Sequence, residues 1–160
     1  MEQSGIKNGL SISHMIMMGF KHEPIDLGYN DLVARTSESG RVYVDPAGDT
    51  YPSITTVLKI LSEEAIQAWR ARVGEEEANR VSRIASTRGT AVHNIFEKYV
   101  NNDPDYLEGV MPNNIQTFKD AQTTLDKCIT KVYAQEAPLY SKHLGVAGRV
   151  DCVGQWEGVD

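Results

Sequence analysis

His93 and Glu97 stand four residues apart in Ala91 to Val100, where Val92, Ile95, Phe96 and Tyr99 recur at helical spacing. Residues four apart share one helix face, and the face of His93 and Glu97 lies off that apolar stripe. An imidazole beside a carboxylate can hold a cation or move a proton; the same pair is also common as exposed polar decoration. Asp151 is the second residue of interest. In Gly148-Arg149-Val150-Asp151-Cys152-Val153, strand alternation puts Arg149, Asp151 and Val153 on one side and Val150 and Cys152 on the other. A carboxylate flanked by apolar strand residues requires a partner, either the Arg149 guanidinium or a cation. Glu136, between Gln135 and Ala137, comes near Asp151 if the two segments pair. Carboxylates with one imidazole and no thiolate are a donor set for Mg²⁺ or Mn²⁺.

These residues need a helix and a pair of strands to bring them together. Arg41 to Val44 alternates like a strand, Asp45-Pro46-Ala47-Gly48-Asp49 reads as a turn, and Thr50-Tyr51 as a short return strand. Ser53 is a candidate N-cap for a helix from Ile54 to Leu61, and Ser62 for a second helix that Gly74 closes or kinks. Glu75 to Ser86 is predicted helical, with Ala78, Val81, Ile84 and Ala85 on one stripe. Thr87-Arg88-Gly89-Thr90 reads as a small interruption or close-packing point before the His93 helix, with Gly89 and Thr90 on the His93 side. Pro112 suits the first position of a further helix carrying Ile115, Phe118, Leu125, Cys128, Ile129 and Val132. The period then changes to two, giving strands over Val132 to Tyr140 and Val146 to Trp156 around a turn at Ser141 to Gly145. Helices followed by a β-meander predict an α+β fold. Residues 1–40 lack such patterning and read as a loop-rich N-terminal arm, leaving 41–160 as the domain.

The 160 residues suit one domain, and 41% hydrophobic with 24% charged residues can bury a core. The net charge of −6 excludes a uniformly basic coat for nucleic acid, but not a local basic groove. The longest apolar burst, Met15 to Phe20, falls far short of the ~20 residues of a membrane span. Glu2 and the missing basic-then-apolar pattern argue against a secretory leader. Cys128 and Cys152 cannot build a four-thiolate cluster and suit free thiols in a reducing, intracellular setting.

Arg88-Gly89-Thr90-Ala91-Val92-His93, Glu97, Glu136-Ala137-Pro138-Leu139-Tyr140 and Gly145 to Asp151, in that order, resemble the motifs of the PD-(D/E)XK nuclease superfamily. The likeness is to its RecB-like exonuclease branch, including phage exonucleases and the mitochondrial genome maintenance exonuclease. Tyr51 to Leu58 and Trp69-Arg70 are similar to the phage members. The resemblance implies a restriction-endonuclease-like core, with helices packed on the start of a mixed β-sheet, and a Mg²⁺- or Mn²⁺-dependent DNA exonuclease. His93 and Asp151 would hold the cation, Glu136 would ligate or stand beside it, and Glu97 would be a helix carboxylate of variable role. An intracellular enzyme follows, in the host cytoplasm if phage-encoded. The Asp/Glu-x-Lys strand motif of the superfamily is missing and is expected just beyond the Glu157-Gly158 turn, so the chain resembles the N-terminal portion of a nuclease, inactive alone. The alternative is a non-catalytic DNA-binding or assembly module.

For DNA, Arg88, Lys142 and Arg149 flank the expected site, Thr90 adjoins it, and Ser53 and Thr55 occupy a helix N-terminus that suits phosphate. Backbone contact and stacking suit DNA ends or single strands better than base reading. Tyr51, Trp69 and Tyr140 are candidate stackers, although such residues are more often core.

Overall fold

A computed structural model describes residues 19–160, and the fold within them is α+β. Residues 1–18 of the expected arm, with the leader region and the start of the Met15–Phe20 burst, lie outside these residues. Strands β1 (Val33–Ser37), β2 (Gly40–Val44) and β3 (Thr50–Pro52) form one antiparallel sheet in that order. Helices α1 (Ile54–Val73), α2 (Glu75–Val100) and α3 (Pro112–Cys128) follow. Strands β4 (Ile129–Ser141) and β5 (Val146–Trp156) form a long antiparallel hairpin. No helix among the described residues is long and apolar enough to cross a membrane.

The expected mixed sheet is replaced by two antiparallel ones. Among the described residues, parallel contact occurs only at isolated bridges, His22 to Val132 and Ser53 to Ala147. The Ser53 bridge is where the small sheet meets the hairpin. Ser53 also donates its N–H to the Arg41 carbonyl at 2.9 Å, extending the β2–β3 ladder to the edge of α1. Buried Leu32, Tyr43, Tyr51 and Ala147 fill the space between, with Tyr140 packed against them.

Strand β1 lies inside the segment expected to be loop. All five of its residues are exposed, so it has no apolar face to betray it. The expected break at Ser62 is also absent: α1 runs through it, and the Ser62 hydroxyl donates to the Lys59 carbonyl at 3.1 Å. Likewise α2 runs unbroken through Thr87–Thr90. A glycine inside a helix costs about 1 kcal/mol relative to alanine, which the long flanking turns outweigh. Gly74 alone separates α1 from α2. Its φ of 87° is left-handed territory that glycine enters freely, and its N–H donates to the Arg70 carbonyl at 2.9 Å. Arg70 pairs with Glu75 across the joint and donates to Asn79 Oδ1 at 2.6 Å. Glu75, Glu76 and Glu77 then meet the positive end of the α2 dipole.

The C-terminal half of α2 is packed against α3. Phe118 is fully buried, with the rings of Phe96, Tyr99 and Tyr106 at centroid distances of 5.2, 4.9 and 5.5 Å. Ile95, at 1% exposure, lies on the same helix. Of the expected stripe in the N-terminal half, Ala78 is buried, but Val81 and Ile84 are exposed. Strand β4 begins at Ile129, directly after α3, earlier than the expected start at Val132. Trp156 and Val159 bond each other's backbone at 2.8 and 2.9 Å around Glu157 and Gly158, both with positive φ. That is the geometry of a tight hairpin turn.

Candidate metal centre

The hairpin brings the two strand carboxylates together. Gln135 pairs with Cys152 and Ala137 with Val150, so the register sets Glu136 opposite Asp151. Glu136 has a φ of 48°, a left-handed conformation uncommon for a residue with a Cβ. Such outliers cluster where the surroundings hold a side chain for function. Helix α2 lies across this point: Gln135 Nε2 donates to the Glu97 carbonyl at 3.2 Å, tying β4 to the helix one turn beyond His93. His93 Nε2 then stands 3.3 Å from Glu136 Oε1 and 3.3 Å from Asp151 Oδ1.

These three donors all lie within 4.8 Å of one another. They do not satisfy themselves. One imidazole nitrogen carries at most one proton, and charge-assisted N–H···O bonds run at about 2.7–2.9 Å. Glu136 Oε1 is buried and has no hydrogen-bond partner among the described residues. Neighbouring ligands of an octahedral Mg²⁺, at right angles on bonds of about 2.0–2.1 Å, lie about 3 Å apart. The 3.3 Å spacings therefore fit a hard cation seated between the three groups, and one nitrogen with two carboxylate oxygens is the chemistry that Mg²⁺ or Mn²⁺ accepts. Cys152 belongs to the opposite face. Burial, and then the Asp151 charge, push its thiol above the ordinary range, so it is a poor thiolate ligand.

The cluster opens on a cleft of about 490 Å³ whose walls include Arg41, Tyr43, Ser53, Thr55, Thr90 and Gly148. Sequence reasoning missed Arg41, although Arg41 and Tyr43 share a strand face by alternation; what it lacked was the packing of the β2–β3 sheet on β5. The expected contacts divide. Thr55 and Thr90 line the cleft. Ser53 also does, but it is 2% exposed and its hydroxyl bonds the Thr55 hydroxyl at 2.8 Å instead of capping α1. Lys142 lies elsewhere, paired with Asp49 at 3.0 Å. Arg88 donates to Thr117 Oγ1 at 2.6 Å beside a separate apolar groove of Val81, Ile84, Ala85 and Val92. Glu97 is outside the donor cluster and lines no part of the cleft. Tyr51 and Tyr140 are packed together in the core, at 5.4 Å between centroids, and are not free to stack on bases.

Arg149 is not the partner of Asp151. Its Nη1 donates to the Glu136 carbonyl at 2.7 Å, and its Nη2 pairs with Asp31 and reaches the Leu32 carbonyl at 3.3 Å. The Leu32 N–H, and after it the Arg149 guanidinium, hold the Asp31 carboxyl below its ordinary range. Nothing in the sequence pattern points to Asp31, which stands in a loop far from the site in sequence. Comparison of the chain with protein-family models, curated proteins and solved structures finds no match.

Proposed function

We propose that the chain carries the metal-binding part of a divalent-cation-dependent DNA exonuclease of the PD-(D/E)XK type. The observation that carries this reading is the convergence of His93, Glu136 and Asp151, with an orphaned carboxylate oxygen, on one open cleft. A divalent cation held there would supply Lewis-acid stabilisation of a phosphoryl centre and a water of lowered pKa. His93, Glu136 and Asp151 would hold it. Among the described residues the Arg41 guanidinium reaches only Thr36 Oγ1, at 3.5 Å, and it is the cation best placed in the cleft to receive a DNA phosphate. Thr55 and Thr90 would offer hydroxyl donors to the same backbone. The −6 charge fits local contact at a strand end better than extended duplex binding. An intracellular site of action, in the host cytoplasm for a phage product, accompanies this reading.

A second reading, a DNA-binding module without catalysis, rests on the cleft walls, where Arg41, Thr55 and Thr90 would meet phosphate whether or not a cation is held. End-labelled linear single-stranded DNA, incubated with the chain in Mg²⁺, separates the two. Cleavage lost in Asp151→Ala supports the exonuclease. Mg²⁺-dependent retention of uncut DNA that is lost in the same variant supports the metal-binding part of the exonuclease, retention that survives the variant supports the module, and neither cleavage nor binding overturns both.

A further inference from the structure

We infer that Arg149 is a positioning residue: it clamps the left-handed backbone of Glu136 and thereby aims the Glu136 carboxylate at His93 and Asp151. The inference rests on the metal reading of that cluster. Glu136 is the only donor of the three whose own backbone is in a disfavoured conformation, and such strain costs of the order of 1–3 kcal/mol unless surroundings over-determine it. The guanidinium is the surrounding group that touches this peptide. Its Nη1 holds the Glu136 carbonyl at 2.7 Å, directly on the strained residue. The other arm of the fork is anchored on Asp31 and on the Leu32 carbonyl at 3.3 Å. Leu32 is itself buried at 4% in the core between the sheets, so the anchor is fixed to the body of the fold. A planar fork is required: it bridges two separate acceptor groups at a set angle, which a lysine ammonium on a flexible stem does not reproduce. Arg149 lines the cleft, but its fork is engaged by Glu136, Asp31 and Leu32, and it thus acts through Glu136. Residues 31–32, from the lead-in before β1, become part of the support of the site.

The test uses the 160-residue chain with Arg149→Lys and Arg149→Gln, and two readouts. The first is NMR of Glu136: its Cα shift and H–N–Cα–H coupling report whether the backbone remains left-handed, with or without metal. The second is Mn²⁺ affinity by direct titration of the folded protein. Loss of a group that orients a metal ligand typically weakens affinity 10–100-fold. Both variants are expected to lose the left-handed signature at Glu136 and to bind Mn²⁺ at least tenfold more weakly. Asp31→Asn, which keeps an acceptor oxygen but removes the charge, is expected to fall between them and the unmodified chain. A folded Arg149→Gln that keeps the Glu136 signature and full affinity overturns the clamp. An unmodified chain that binds no Mn²⁺, while Arg149→Gln still releases the Glu136 backbone, overturns the metal reading and leaves Arg149 a purely structural clamp.

Discussion

Replacing Asp151 by Asn separates a metal site from an ordinary polar cluster by the sign of its effect on stability. Without metal, the carboxylates of Glu136 and Asp151 present oxygens within 4.8 Å of each other. Two unit charges at that distance repel by ~3.5 kcal/mol at an effective dielectric of 20 and by ~0.9 kcal/mol in bulk water. The Asp151 side chain is 76% exposed, so the working value belongs near the lower limit, about 1 kcal/mol. Asp151→Asn preserves shape and removes that repulsion. At pH 8 in EDTA its melting temperature should therefore equal or exceed that of the unmodified chain, by up to about 4 °C for a chain of this size. Saturating Mn²⁺ reverses the order. A ligand at a hundred times its Kd adds about 2.7 kcal/mol, or about 5–10 °C here, and the variant should lose most of that increment. Thermal unfolding followed by far-UV circular dichroism in both buffers reads the two effects. If Asp151 serves only to satisfy His93, the substitution lowers the melting temperature in EDTA and leaves the response to Mn²⁺ unchanged, which would refute the reasoning.

Three further outcomes follow from the packing and the charges. Phe118→Ala removes the ring that three other aromatics surround and should cost about 3–5 kcal/mol in urea denaturation. The Tyr99 hydroxyl donates to Asp126 Oδ1 at 2.6 Å, and burial, followed by that carboxylate, pushes its pKa up to about 12. Its folded-state value is raised above the unfolded one near 10, so its contribution is complete below pH 10 and disappears between pH 10 and 12; Tyr99→Phe should flatten the alkaline limb of a stability–pH curve over that window. Lys142→Ala breaks an exposed ion pair with Asp49 away from the cleft, and it should change stability by less than about 1 kcal/mol and Mn²⁺ affinity not at all.

The helices and the hairpin were legible because their signals are local. Period-two alternation located β4 and β5 to within a few residues, and the alternation that grouped Arg149 with Asp151 is the one the structure contains, with both residues exposed on β5. His93, Glu136 and Asp151 were readable as a set because a helix face and one strand register suffice to define it. Glu97 shares a helix face with His93 but stays outside the donor cluster: the hairpin meets its turn through the backbone, where Gln135 Nε2 donates to the Glu97 carbonyl. Strand β1 was invisible because it has no buried side, and the unbroken α1 and α2 were obscured by Ser62 and Gly89, residues that weaken a helix without ending it. The partner of Arg149 was beyond reach, since Asp31 meets it through tertiary packing that leaves no periodic trace. The exposed cleft residue Arg41 needed the same knowledge of how the two sheets meet.

Because Glu136 and Asp151 belong to one hairpin while His93 arrives on a distant helix, the cluster is expected to assemble in two stages of different speed. Hairpin closure is a microsecond event and joins the two acids with little loop entropy lost. Docking of α2 brings the imidazole across a much longer stretch of chain. A cation that needs all three donors gains its full hold only after that docking, and so stabilises the native state more than the preceding barrier. If the cluster holds a cation, Mn²⁺ should slow unfolding in stopped-flow experiments while leaving the refolding rate nearly unchanged, which would make the ion a clock for the last step of folding as well as a reporter of the site.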